Sequence, residues 1–162
     1  MRRLGLLSAM LVALSACATT TETAPSELYY VVRHLHTPAG ERDPDLTAEG
    51  QRQAALLAER LGERPPLAIY VSGFKRTAQT AAPIAARLGL TPIVYDPADT
   101  PGLIARVRSG PLPALIVGHS NTVPDIVEQL GGTRPEPIDD GQFGDIWHIT
   151  PVNGSTLRLS ID

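Results

Sequence analysis

The chain has 162 residues, 43% hydrophobic and 19% charged, with a formal net charge of −3, a balance that suits one globular domain with a real core. Its 14 lysines and arginines are scattered singly or in pairs, which excludes nucleic acid as the main partner, because such binding needs a concentrated basic face. The single cysteine excludes an internal disulfide.

Arg2 and Arg3 precede an apolar run from Leu4 to Leu14, and small residues follow up to Cys17. This is the layout of an export signal, too short to read as a spanning helix. The stretch Leu14-Ser15-Ala16-Cys17 resembles the bacterial lipobox, in which the cysteine is acylated and becomes the mature N-terminus; the plainer reading is a cleaved signal with Cys17 a bystander. The resemblance implies a signal peptide over 1–16, a lipidated Cys17 opening a polar tether over 17–26, and a folded domain over 27–162. The expected location is the cell envelope, lipid-anchored on the periplasmic side, with Ala18 favouring the outer membrane. A monomer is the simplest expectation for this length.

From Leu28 onward strand-like and helix-like segments alternate. Leu28–Val32 is a short β-rich run ending at Arg33-His34. Thr47 is placed to cap a helix from Ala48 to Leu61, with Gly62 as its stop and Ala54, Leu57, Ala58 and Leu61 as one apolar stripe. Leu67–Val71 reads as a second buried strand. A helix follows from Lys75 to Leu88, closed by Gly89, with Pro83 expected to kink or restart it. Thr91–Tyr95 is a third strand, and Thr100-Pro101 then reads as an N-cap and first-turn proline. Ala114–Val117 is a fourth, uninterrupted apolar strand, as a central parallel strand should be. Asn121–Leu130 is helical, and Asp145–Thr150 with Ser155–Ile161 forms a closing hairpin around Val152-Asn153-Gly154. Asp139 and Asp140 read as a solvated loop, and His148 as structural or surface.

Such alternation implies an α/β three-layer sandwich, a mostly parallel central sheet with helices on both faces. Ligands bind such sheets outside the carboxyl ends of the strands. Arg33-His34 follows the first strand, Ser72 to Arg76 the second, Asp96 the third, and Gly118-His119-Ser120 the fourth. Four distant polar clusters therefore share one rim. Two arginines and two histidines there make an anion site: guanidinium groups hold phosphate by paired charged hydrogen bonds, and a neutral imidazole can attack phosphorus. A second histidine, if protonated, adds positive charge where the transferring group gathers negative charge. A metal centre on His34, His36 and His119 is disfavoured, because Arg33 and Arg76 would repel the ion.

The motifs Val32-Arg33-His34, Asp43-Pro44-Asp45-Leu46-Thr47-x-x-Gly50, Ser72-x-x-x-Arg76-Thr77-x-Gln79-Thr80-Ala81 and Val117-Gly118-His119-Ser120 resemble the histidine phosphatase superfamily, also called phosphoglycerate-mutase-like. The compact length is similar to its small phosphohistidine-phosphatase subgroup. The resemblance implies that His34 becomes phosphorylated, that Arg33 and Arg76 hold the phosphate and that His119 completes the pocket, with no metal and no cofactor. It implies a metal-independent phosphatase acting on a small phosphorylated substrate or a phosphoprotein.

Two departures stand out: His34-Leu35-His36-Thr37, where the family commonly has glycine or alanine and then glutamate, and Gly73 in place of a proline. Leu35 is expected to crowd the pocket, and a phospho-ligand-binding protein with impaired turnover is the alternative reading. His36 fits a rim contact or a solvated loop, and Ser72 a helix cap or a ligand contact. Ser120 is a further contact candidate. The proton donor is the least defined role; Asp96 and Asp99 are the local candidates, and phosphoramidates need such a donor least.

Overall fold

The first strand, β1 (Tyr29–Arg33), is buried at every position and sits near the middle of a six-stranded sheet ordered β3-β2-β4-β1-β5-β6. This is a computed structural model, and it describes residues 28–151 and 154–161. The expected signal peptide, Cys17, the expected tether, and Val152-Asn153 fall outside the described residues. Among those described, no helix is long and apolar enough to cross a membrane.

The strands β2 (Ala68–Ser72), β3 (Ile93–Tyr95) and β4 (Ala114–Gly118) run parallel to β1. The hairpin strands β5 (Asp145–Thr150) and β6 (Ser155–Ser160) extend the sheet antiparallel. Alternation along the central strands separates two cores. Tyr30, Val32, Ile69, Val71, Leu115 and Val117 face a cluster containing Leu57, Ala58, Ile84 and Ala85, from α1 (Ala48–Arg60) and α2 (Lys75–Leu88). Tyr29, Val31, Tyr70 and Ile116 face Leu103, Val107, Ile126 and Val127 on the other side, from α3 (Thr100–Ser109) and α4 (Val123–Gln129). Each aliphatic side chain fully buried this way contributes about 1.5–3 kcal/mol. The three-layer sandwich expected from the sequence is the fold observed.

Element ends differ from expectation where local hydrogen bonds intervene. Beyond Arg60 the chain continues through Gly62 as one 3-10 turn, Leu61–Glu63. α2 runs unbroken through Pro83 to Gly89, which takes the left-handed conformation at φ 65°, so no restart occurs. β3 is only the Ile93–Tyr95 stretch because it is an edge strand with a single neighbour. Asp99, not Thr100, caps α3, its carboxylate accepting from Gly102 N–H at 2.9 Å. α4 starts at Val123 because residues 119–122 form a turn: the His119 carbonyl accepts from the amides of Thr122 and Val123.

Gly50 is required where α1 crosses the chain after β1, since a Cβ there would collide with the His36 carbonyl oxygen. The same carbonyl accepts the Thr47 amide at 2.9 Å. The start of α1 is thus fastened to the segment carrying His34.

Candidate active site

Because β1 and β4 pair in parallel register up to Arg33 and Gly118, the residues that follow them emerge side by side. The His34 amide donates to the Gly118 carbonyl at 2.9 Å, and the rings of His34 and His119 meet edge-on with centroids 5.4 Å apart. Both histidines are more than nine-tenths buried, at 6% and 7% exposure.

Hydrogen bonds assign the tautomers. His34 Nδ1 lies 3.0 Å from the Leu35 carbonyl oxygen. A carbonyl can only accept, so Nδ1 carries the proton and Nε2 keeps its lone pair. Arg76 Nη2 donates to His119 Nδ1 at 3.4 Å, leaving Nε2–H to donate to Ser72 Oγ at 2.8 Å. Burial pushes His34 down to about 4, the Leu35 hydrogen bond opposing and the Arg33 and Arg76 charges adding. Burial, then the charge of Arg76, pushes His119 down to about 3. His119 is therefore a neutral imidazole here, not the cation considered from the sequence.

Both depressed values have the same sign consequence. The unfolded chain takes up protons near 6.5 and the folded one only near 4 and 3. This stabilisation is complete above about 6.5 and is lost as pH falls through the window below it. The expected result in a two-dimensional NMR titration is that the ring nitrogens of both residues report neutral imidazole from pH 8 down to about 5.5. A midpoint near 6.5 for either ring would contradict it.

Arg76 lies in the first turn of α2, where a cation opposes the helix dipole. Asp43 resolves this: its carboxylate accepts the Lys75 amide at 3.1 Å and lies 3.6 Å from Arg76 Nη1. It supplies the helix cap that Phe74, at the N-cap position, cannot. Ser72 caps nothing; its hydroxyl joins His119 to Thr77 Oγ1, 3.0 Å away. Phe74 instead stacks on the Arg76 guanidinium, 4.3 Å from its ring centroid. The rest of the second motif holds neighbouring backbone in place. Thr80 Oγ1 accepts the Leu35 amide at 3.0 Å, Gln79 Oε1 accepts the Leu46 amide at 2.7 Å, and Gln79 Nε2 donates to Asp45.

Arg33 is placed differently from expectation. Its Nη1 donates to the carbonyls of Asp139 and Gln142, both at 2.7 Å, and its Nη2 to that of Asp140 at 3.0 Å. Phe143 covers the guanidinium at 4.1 Å. A guanidinium has five N–H donors, so three are occupied, leaving Nε–H and one on Nη2. Nε is buried without a partner among the described residues. An orphan donor of this kind costs about 1–3 kcal/mol, a cost that an anion accepting from it would remove. Arg33 and Arg76 both act electrostatically on each histidine.

The cavity itself, about 420 Å³, is lined by His34, Arg76, His119 and Ser120 together with Phe74, Pro97, Ala98, Asn121 and Thr122. Of the expected site residues, the structure brings these first four together. Arg33 borders a separate hollow with Thr37 and Phe143, and Ser72 hydrogen-bonds His119 from outside the cavity lining. His36 stacks on Phe143, ring centroids 4.2 Å apart, and does not line the cavity. Leu35 does not crowd it either: its side chain is fully buried in the core against α1 and α2. Asp96 is exposed and accepts from the Ala98 amide at 2.9 Å; it lies outside the lining, and Asp99 is spent on capping α3. Phe74, Asn121, Thr122 and Phe143 were not singled out by the motifs, and Asp43 stood in one of them without a role. Thr122, whose hydroxyl accepts the His119 amide at 3.0 Å, had a signal in its place three residues after the histidine.

The family model for the histidine phosphatase superfamily (branch 1) matches residues 29–98, which hold His34 and Arg76. Over that stretch the chain is similar to the histidine phosphatase superfamily. The match stops short of His119, which the fold returns to His34. An uncharacterized protein of Mycobacterium tuberculosis, Rv0525, is 45% identical over 75 residues, covering 42% of this chain and 37% of that protein. The PE-PGRS family protein PE_PGRS11 of the same species is 43% identical over 72 residues, 39% of this chain and 12% of that protein. The chain therefore spans well under half the length of these relatives.

Among solved structures, this chain is similar to the protein histidine phosphatase SixA complexed with tungstate, with a TM-score of 0.64 at 19% identity over 83% of this chain and 97% of that one. It is similar also to mycobacterial glucosyl-3-phosphoglycerate phosphatase Rv2419c with VO3, with a TM-score of 0.62 at 19% identity over 76% and 92%. At these identities the likeness is one of fold.

Proposed function

We propose that this protein is a metal-independent phosphatase that cleaves phosphomonoesters or phosphoramidates through a phosphohistidine on His34. The observation that supports this reading is the buried, neutral His34, with Nδ1–H held by a carbonyl and Nε2 free, beside His119 and the Arg76 guanidinium. In the first step Nε2 attacks phosphorus, forming an N–P bond as the P–O or P–N bond breaks and the leaving group departs with its electron pair. Arg76, with the open donors of Arg33, bears the charge on the equatorial oxygens. In the second step water attacks the phosphohistidine, releasing inorganic phosphate and restoring the ring.

No carboxylate is among the described residues that line the cavity, a lining that fits a leaving group able to depart without an enzyme acid. That favours phosphoramidates, whose nitrogen can arrive protonated, and esters of weakly basic alcohols or phenols. A phosphorylated small molecule or a phosphoprotein fits this requirement equally. Turnover of p-nitrophenyl phosphate should be abolished by micromolar to millimolar vanadate and unchanged by EDTA. Loss of activity on chelation would refute the metal-independent reading. A protein that binds phosphate and never turns over would match the impaired alternative, which rests on Leu35 and His36; the Leu35 side chain is buried in the core and His36 stacks on Phe143.

Export and lipidation belong to the same proposal. They are supported by Arg2, Arg3, the Leu4–Leu14 run and Leu14-Ser15-Ala16-Cys17, and place the domain on the periplasmic side of the envelope, at the outer membrane. Palmitate incorporation that disappears in Cys17→Ser is the expected result, and equal labelling of both would refute it.

A further inference from the structure

The segment between α4 and β5 supplies the carbonyls that hold Arg33, and before reaching them it walls a second hollow of about 310 Å³. Pro124, Pro135, Pro137 and Ile138 give this hollow apolar sides. Ser120 and Asn121 line both it and the cavity of His34, so the two are contiguous across that pair. We propose that this hollow is the leaving-group subsite, and that it selects substrates whose leaving group carries a bulky, apolar, uncharged part such as a fused or substituted aromatic ring. The inference rests on the phosphatase reading above and adds the class of substrate.

Three features support it. The walls offer apolar carbon at every side chain except Ser120, Asn121 and Arg134, and rigid prolines lose little entropy when a ligand covers them. The charge is divided between the two compartments. The phosphate cavity has Arg76 in its lining, and the Arg33 charge also acts on its two histidines. At the second hollow the cation, Arg134, is already paired with both Asp125 and Glu128. One cation against two carboxylates leaves that edge acidic, so it repels an anionic leaving group while the other end attracts the phosphate. Finally, the described residues lining the cavity include no carboxylic acid, which suits phenol-like leaving groups that depart without protonation.

Nonhydrolysable probes test the subsite independently of turnover. Titration calorimetry would compare phenylphosphonate, naphthalen-2-ylphosphonate and 4-carboxyphenylphosphonate on the full domain. The naphthyl probe is expected to bind about tenfold more tightly than phenyl, from the extra ring buried, and the carboxyphenyl probe several-fold more weakly than phenyl. In Ile138→Ser the naphthyl-to-phenyl ratio should fall to within about twofold. Since Ile138 is buried, amide shifts of Asn121 and Ile138 on adding the naphthyl probe to the unaltered protein give a second measure. Equal affinities for phenyl and naphthyl, or no shift at those amides, would overturn the subsite. Parallel assays with the matching aryl phosphates separate the two readings. Size-dependent binding without hydrolysis would sink the phosphatase reading and keep the subsite. Hydrolysis indifferent to leaving-group size would sink the subsite alone, and neither binding nor hydrolysis would overturn both.

Discussion

His34→Ala should lower kcat for p-nitrophenyl phosphate by about 10,000-fold or more, the scale on which loss of a covalent nucleophile acts. The side chain is buried and its Nδ1–H is committed to the Leu35 carbonyl, so no neighbouring group can take over the attack. His119 is close enough to touch, yet its Nδ1 accepts from Arg76 and its Nε2–H is given to Ser72, leaving it no free lone pair to offer. Affinity for inorganic phosphate should change much less, because the guanidinium donors remain. A combined measurement of kcat and phosphate affinity is therefore decisive: a variant that still turns over within tenfold of the unaltered protein would end the phosphohistidine mechanism. Trapping acid-labile, base-stable radiolabel on the unaltered protein and not on the variant is the matching positive result.

Arg33→Lys should cost about 100- to 1,000-fold in kcat/KM, the range seen when one donor to a developing oxyanion is removed. The substitution keeps the charge and loses the geometry. A lysine has three N–H donors on one atom, so it cannot satisfy the carbonyls of Asp139, Asp140 and Gln142 and also keep a fork directed at phosphate. It also forfeits the planar stack on Phe143. Leaving even one of those carbonyls short of a donor costs about 1–3 kcal/mol, so the melting temperature should fall as well. Activity is to be read at a temperature where circular dichroism shows both proteins folded. Activity within threefold of the unaltered protein would mean that Arg33 serves only to hold the 139–142 segment.

The two predictions differ in how far they could be read from the sequence. His34, Arg76 and His119 were legible because strand and helix patterns alternate so regularly that the rim could be assigned before any coordinate was known. The environment of Arg33 was not, because it is built from main-chain carbonyls, and Asp139 and Asp140 contribute their backbone rather than the carboxylates that suggested a solvated loop. Asp43 stood in a motif but its capping role escaped for a different reason: the cap of α2 comes from a residue far upstream, and capping rules search only the adjoining turn. At α3 two neighbouring residues could each cap, and choosing Thr100 over Asp99 missed by one position. That small shift also withdrew one acid candidate from the site. Leu35 was misread because its bulk was set against the glycine or alanine that the family commonly has there, whereas beyond Arg33 the chain turns this side chain into the core against α1 and α2.

The direction of β1 has a practical consequence. Leu28 lies at one end of this strand and His34 at the other, and five strand residues span roughly 17 Å. Whatever is joined ahead of residue 28, be it an acyl chain, an affinity tag or a solid support, meets the domain at the pole opposite the cavity mouth. A support coupled through that end would leave the end of β1 that carries His34 as the far one.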